Sequence, residues 1–138
     1  MIKKVAPASK PANRFCDLIG LHFTEMEKGF CRTELAITDF HLNPYGTLHG
    51  GVVYSLADSG MGGALSTLLD DDEQCATIEI KINYLKSTRS GRLSCETRVV
   101  HKGKNIAFLD SVVKTLEGKL VATATGTFNI FKGSLRTG

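Results

Sequence analysis

No two cysteines stand at the spacing of a metal or redox motif: Cys16, Cys31, Cys75 and Cys95 are far apart, and no C-x-x-C occurs in the 138 residues. That argues against a zinc ribbon or a thioredoxin-type site. The four thiols are expected as small buried hydrophobes, not as a disulfide framework. Long apolar runs are missing too. Val52–Val53 and Ala64–Leu65 are interrupted within a few residues by Gly, Ser or Asp, so nothing approaches the roughly 20 apolar residues of a membrane span. The first residues carry Lys3, Lys4 and Lys10 but no hydrophobic stretch of signal length, and a cytoplasmic chain without a membrane partner is expected. A formal charge of +3 with pI near 8.7 is too small to imply nucleic acid. Internal repeats and low-complexity tracts do not occur.

What remains is an ordinary globular composition, 42% hydrophobic and 22% charged, of a length that suits one domain. The expected layout is a flexible N-terminus over 1–12, one domain over 13–132 and a tail over 133–138. A short amphipathic helix is expected over Asn13–Gly20, with Phe15, Leu18 and Ile19 on its buried side and Gly20 as its stop. From Leu21 to about Thr38 the chain reads as two strands turning at Lys28–Gly29, the second alternating Cys31, Thr33, Leu35 and Ile37. Asp39–His49 is turn-rich, broken by Asn43–Pro44 and Gly46.

From Gly50 to about Leu69 apolar residues recur at helical spacing, predicting one long helix. Gly60, Gly62 and Gly63 lie inside it, each costing about 1 kcal/mol relative to Ala. Such a cost predicts close packing against a curved sheet. Asp70–Asp71–Asp72–Glu73 ends the helix as a solvated turn. Thr77–Leu85 then alternates, Ile78, Ile80, Ile82 and Tyr84 on one face and Thr77, Glu79, Lys81 and Asn83 on the other. Strands near 93–101, 105–116 and 119–131 follow, with turns at Arg89–Ser90–Gly91, Lys102–Gly103–Lys104 and Glu117–Gly118 suited to a meander. The fold class is α+β: about six antiparallel strands and one long helix. One helix covers one face of such a sheet and leaves its edges unpaired, which favours self-association.

Chemistry concentrates in His41–Leu42–Asn43–Pro44–Tyr45–Gly46–Thr47–Leu48–His49–Gly50–Gly51. A glycine-rich loop that opens a helix presents unsatisfied backbone N–H groups, the raw material of an oxyanion hole. Gly50 and Gly51 let a carbonyl approach without a Cβ in the way, and Pro44 keeps Asn43 out of the α region. The same loop also suits a tight turn and nothing more. Asp58, among apolar helical neighbours, is either a general base or nucleophile or plain surface polarity. The basic turns Lys86–Arg89 and His101–Lys104 either meet a phosphorylated small molecule or are solvated. No metal-ligand set is recognisable.

Asp58 lies eight residues past Gly50, about 12 Å along a helix axis. The two cannot act on one carbonyl within a chain. If both are catalytic, a second subunit must lay its helix alongside in the opposite sense, and a twofold dimer then forms two equivalent sites.

The run His41, Asn43, Gly46, His49, Gly50, Gly51, followed by Leu56, Ala57 and Asp58, resembles the hotdog-fold thioesterases of the phenylacetate-pathway (PaaI-like) type, over about Phe15–Phe131. The resemblance implies a curved sheet wrapped round the helix and hydrolysis of an acyl- or aryl-CoA, with no cofactor beyond the coenzyme A of the substrate. It implies that Gly50 N–H and Asn43 polarise the thioester carbonyl, that Asp58 of the partner acts as base or nucleophile, that His49 supports the loop and that Thr77 helps place the water. Gly51 would line the substrate site, and Arg89, Lys102 and Lys104 would face the CoA phosphates. A homodimer or a homotetramer built as a dimer of dimers is implied. Two other hotdog activities stay open: a non-catalytic acyl-CoA-binding module, and a hydroxyacyl-CoA dehydratase using His49.

Overall fold

A computed structural model describes residues 13–133. The expected N-terminal segment 1–12, and the tail beyond Gly133, lie outside the described residues. Helix α1 spans Arg14–Ile19, strands β1 and β2 span Leu21–Glu27 and Phe30–Ala36, and a 3-10 turn occupies Asp39–His41. Helix α2, Gly50–Ser66, is followed by β3 (Glu73–Tyr84), β4 (Arg92–Lys102), β5 (Ile106–Thr115) and β6 (Leu120–Lys132). Every helix and strand expected from the periodicity is present. Among the described residues no helix is long and apolar enough to cross a membrane.

The strands form one sheet in the order β1-β2-β4-β5-β6-β3, antiparallel throughout. The expected meander holds only for β4–β5–β6. Strand β3 instead pairs with β6 at the far edge, because α2 runs across the sheet and delivers the chain there. Residues 85–91 must then cross back to β4, and they are held on the way by Leu48 N–H to Thr88 O at 2.8 Å and Ile37 N–H to Gly91 O at 2.8 Å. Arg89–Ser90–Gly91 therefore closes a crossover, not a hairpin.

Alternation builds the core as expected. In β5 it buries Ala107, Leu109, Ser111 and Val113; in β4, Leu93, Cys95 and Thr97; in β2, Cys31, Thr33 and Leu35. Against that face α2 presents Leu56, Met61 and Leu65, all fully buried and each contributing roughly 1.5–3 kcal/mol by burial. Cys16, Cys31 and Cys95 are buried and Cys75 is half-buried. Burial pushes the Cys95 thiol up to about 11, keeping it neutral.

Three expectations need correction. Helix α2 stops at Ser66 and not near Leu69: the hydroxyls of Ser66 and Thr67 donate to Gly63 O and Ala64 O at 2.7 Å each, satisfying carbonyls that a further turn would have used. In α1 the expected Ile19 is half-buried against the core, but its buried companion is Cys16, its Sγ 3.4 Å from Ser59 Oγ on α2, while Phe15 and Leu18 are exposed. Six residues offer one small contact face, and Cys16 fills it. Close packing explains two of the three helical glycines. A Cβ at Gly60 would fall 2.7 Å from Thr97 Oγ1, and one at Gly63 2.8 Å from Cys31 Sγ, whereas one at Gly62 would meet nothing within 4 Å.

This contrast gives a stability test. Thr97 Oγ1 is held 2.7 Å from Ser111 Oγ inside the sheet and cannot swing away, so Gly60→Val should overpack the interface and destabilise by about 2 kcal/mol or more. Gly62→Ala should hold stability or raise it by up to about 1 kcal/mol. Chemical denaturation of both variants beside the parent protein checks the pair.

Candidate active site

The motif loop is held by its own polar groups. Asn43 Oδ1 accepts from Tyr45 N–H at 2.9 Å and Thr47 N–H at 3.2 Å, and its Nδ2 donates to Thr47 Oγ1 at 2.8 Å. One Nδ2 hydrogen remains for a ligand. Beneath the loop, buried His41 accepts from Thr38 N–H at Nδ1 (2.9 Å), which leaves Nε2 to donate to Ile19 O (2.6 Å). The carbonyl of His41 receives the N–H of His49 at 2.8 Å, tying the loop's exit to its entry.

His49 is the N-cap of α2: its Nδ1 accepts from Gly51 N–H at 2.8 Å, and its carbonyl accepts from Val52 N–H at 3.0 Å. Between these spent amides, Gly50 N–H has no acceptor among the described residues. It sits at the positive end of the helix dipole. The Tyr84 hydroxyl, at the end of β3, donates to Gly50 O at 2.8 Å. A Cβ on residue 50 would fall 3.1 Å from that hydroxyl, a tight contact that would press on the Tyr84 side chain. Burial, and secondarily Tyr54, push the Tyr84 phenol above its ordinary value, so it stays a donor.

Gly50 and Gly51 line a cleft of about 500 Å³ together with Asn43, Thr47 and Lys86–Thr88, over an apolar floor of Leu48, Val53, Leu85 and Val121. Asp58 does not line it. As the helix rise demands, Asp58 stands farther along α2, where its Oδ1 accepts from Thr77 Oγ1 at 2.7 Å.

That contact depends on an irregularity that simple alternation hides. Strict alternation places Thr77 with Glu79, Lys81 and Asn83, away from the helix. A β-bulge between Thr77 and Glu79 shifts the register, so that Thr77 opposes buried Phe128 while Glu79 opposes Thr127 and bonds it on the outer face. Thr77 thus shares the helix-facing side with Ile80, Ile82 and Tyr84, and Ile78 is left 54% exposed at the bulge. Bulges re-aim side chains in this way. Cys75, also on that side, has its thiol pushed up by burial and then by the Asp58 charge, which suppresses the thiolate a nucleophilic cysteine needs.

The basic turns separate. Arg89 lies over the motif loop, its guanidinium 4.0 Å from where a Gly46 Cβ would stand. Lys102 and Lys104 flank the β4–β5 turn at the opposite end of β4, roughly 33 Å away at strand rise. One protomer does not bring them together with Arg89. Tyr84 and the Thr47 hydroxyl were not foreseen as site residues, whereas Lys86 belongs to a basic turn already expected to meet a phosphorylated small molecule. For Tyr84 the available signal was a phenol ending an otherwise aliphatic inward row, since a buried Tyr hydroxyl needs a partner.

Residues 45–122, more than half of the chain, match the model of the Thioesterase superfamily. A protein of Saccharolobus solfataricus named "Putative esterase" is 34% identical over 116 residues, covering 84% of this chain and 77% of its own. A 1,4-dihydroxy-2-naphthoyl-CoA hydrolase of Listeria monocytogenes is 27% identical over 116 residues, covering 84% of this chain and 94% of its own. The PaaI protein of E. coli, from the phenylacetic acid degradation operon, has the same fold with a TM-score of 0.83 at 23% identity, over 90% of this chain and 88% of its own. With its helix-wrapping sheet and this family match, the chain belongs to the thioesterase superfamily as a hotdog-fold hydrolase.

Proposed function

We propose that the protein hydrolyses an acyl- or aryl-CoA thioester to the free acid and CoA, at sites shared between two antiparallel subunits. The thioester oxygen is received by Gly50 N–H, assisted by the free hydrogen of Asn43 Nδ2. The partner subunit's Asp58 takes a proton from water as the hydroxyl adds to the carbonyl carbon, and the C–S bond breaks to release CoA, its thiolate taking up that proton; alternatively Asp58 attacks the carbon itself, CoA leaves, and water then hydrolyses the mixed anhydride to the free acid and restores the carboxylate. Thr77 orients that carboxylate. The carrying observation is the Gly50 amide, unspent while the N–H groups of His49, Gly51 and Val52 are all engaged. A donor aimed where negative charge develops is the largest single contribution to acyl-transfer catalysis.

Strand β3 supports the shared arrangement, because it is an edge strand with Ile78 and Tyr84 more than half exposed, and such an edge is a template for pairing. An antiparallel partner also carries its β4–β5 turn toward this cleft. Lys86 and Arg89 of one subunit and the partner subunit's Lys102 and Lys104 then flank one opening and suit the phosphates of CoA. The spent Nδ1 of His49 disfavours that residue as a dehydratase base. Aromatic acyl-CoAs lead the assay panel, since the Listeria relative is named for hydrolysing one.

Asp58→Asn keeps the shape and removes the base. Thiol release from every ester the parent cleaves should drop at least about a hundredfold; retention of full turnover contradicts the mechanism. Mixing Asp58→Asn subunits with Asn43→Ala subunits should restore activity, to about a quarter of the parent level, because each heterodimer holds one intact site of two. Demonstrated heterodimers that stay silent rule out a site shared across subunits.

A further inference from the structure

Two hydroxyls of β3 reach α2. Thr77 holds the Asp58 carboxylate at 2.7 Å, and Tyr84 holds the Gly50 carbonyl at 2.8 Å. The N–H groups on either side of Gly50 bond within residues 41–52: His49 N–H to His41 O, Gly51 N–H to His49 Nδ1 and Val52 N–H to His49 O. They shape the loop but do not fasten it to the sheet. Tyr84 is 34 residues away in sequence and sits in the main ladder, opposite buried Ala122 of β6. Its hydroxyl ties the Gly50–Gly51 peptide, the one next to the peptide that carries the Gly50 N–H, to the sheet, and its ring lies 3.2 Å from where a Gly50 Cβ would stand.

We propose that Tyr84 is a positioning residue for thioester hydrolysis, its hydroxyl fixing Gly50 so that the neighbouring N–H faces the developing oxyanion. This rests on the thioesterase mechanism proposed above. An oxyanion donor acts only if it is pre-aimed, and misplacement by an ångström can cost a hundredfold. The Tyr84 hydroxyl is engaged by Gly50 O at the wall of the cleft, so removing it should lower the rate of the chemical step more than it weakens substrate binding. Because its phenol is held above the ordinary value, the tie survives through neutral and mildly alkaline pH, and its effect is pH-independent there.

The test is Tyr84→Phe in the full chain, which keeps the ring and deletes the tie. In thiol-release assays on the best acyl-CoA substrate, kcat should fall roughly ten- to a hundredfold while KM and product inhibition by CoA stay within about twofold. The shape of the pH–rate profile should not change. In 15N spectra the Gly51 amide, whose peptide includes the Gly50 carbonyl, should shift, while amides of β4 and β5 should not. A kcat equal to that of the parent, or a loss confined to KM, overturns the role of Tyr84 and leaves the thioesterase mechanism standing. A parent protein that cleaves no acyl-CoA overturns both.

Discussion

The rise of an α-helix sets the terms for this site. Gly50 and Asp58 ride on one rigid helix, eight residues and about 12 Å apart, and no loop motion within a protomer brings them onto one carbonyl. On the mechanism proposed above, the two groups therefore belong to different sites, each completed by another subunit. An exposed edge strand beside the helix supplies the means. The proposed mechanism couples assembly to activity, since in it a lone subunit holds an amide without a base and a base without an amide.

Polar groups around the amide are arranged by exhaustion. Asn43 organises its own loop, His41 anchors that loop to α1 and the 3-10 turn, and His49 caps the helix. Each engaged group has one geometry available, and what remains among the described residues of the loop is the Gly50 N–H with one hydrogen of Asn43 Nδ2. The helix can sit close enough for this because glycines 60 and 63 meet Thr97 and Cys31 at distances no side chain would tolerate. Helix propensity is surrendered there, about 1 kcal/mol per glycine, to bring α2 down onto the sheet that carries Thr77 and Tyr84.

Much of this was legible in the sequence, where periodicity is a direct imprint of burial. The alternation in β2, the helical spacing after Gly50 and the glycine-rich entry to that helix all correspond to elements of the structure. What escaped is nonlocal. Placing β3 beside β6 depends on where α2 delivers the chain, which no dipeptide at Arg89–Ser90 encodes. The bulge at Ile78 inserts one residue into an otherwise perfect alternation, and it reverses the face of Thr77 without any glycine or proline to announce it. Phe15 and Leu18 look like the inward side of α1 by hydrophobicity alone, yet the contact with Ser59 has room only for Cys16. Lys102 and Lys104 cluster with Arg89 in composition but stand at the other end of a full-length strand.

The most direct measurement is a crystal structure of Asp58→Asn holding an uncleaved acyl-CoA. The account predicts the thioester oxygen about 3 Å from Gly50 N, with residue 58 of the partner subunit on the far side of the carbonyl carbon and a water or its own side chain within reach. A carbonyl bound away from Gly50, or approached by residue 58 of the same chain, contradicts it.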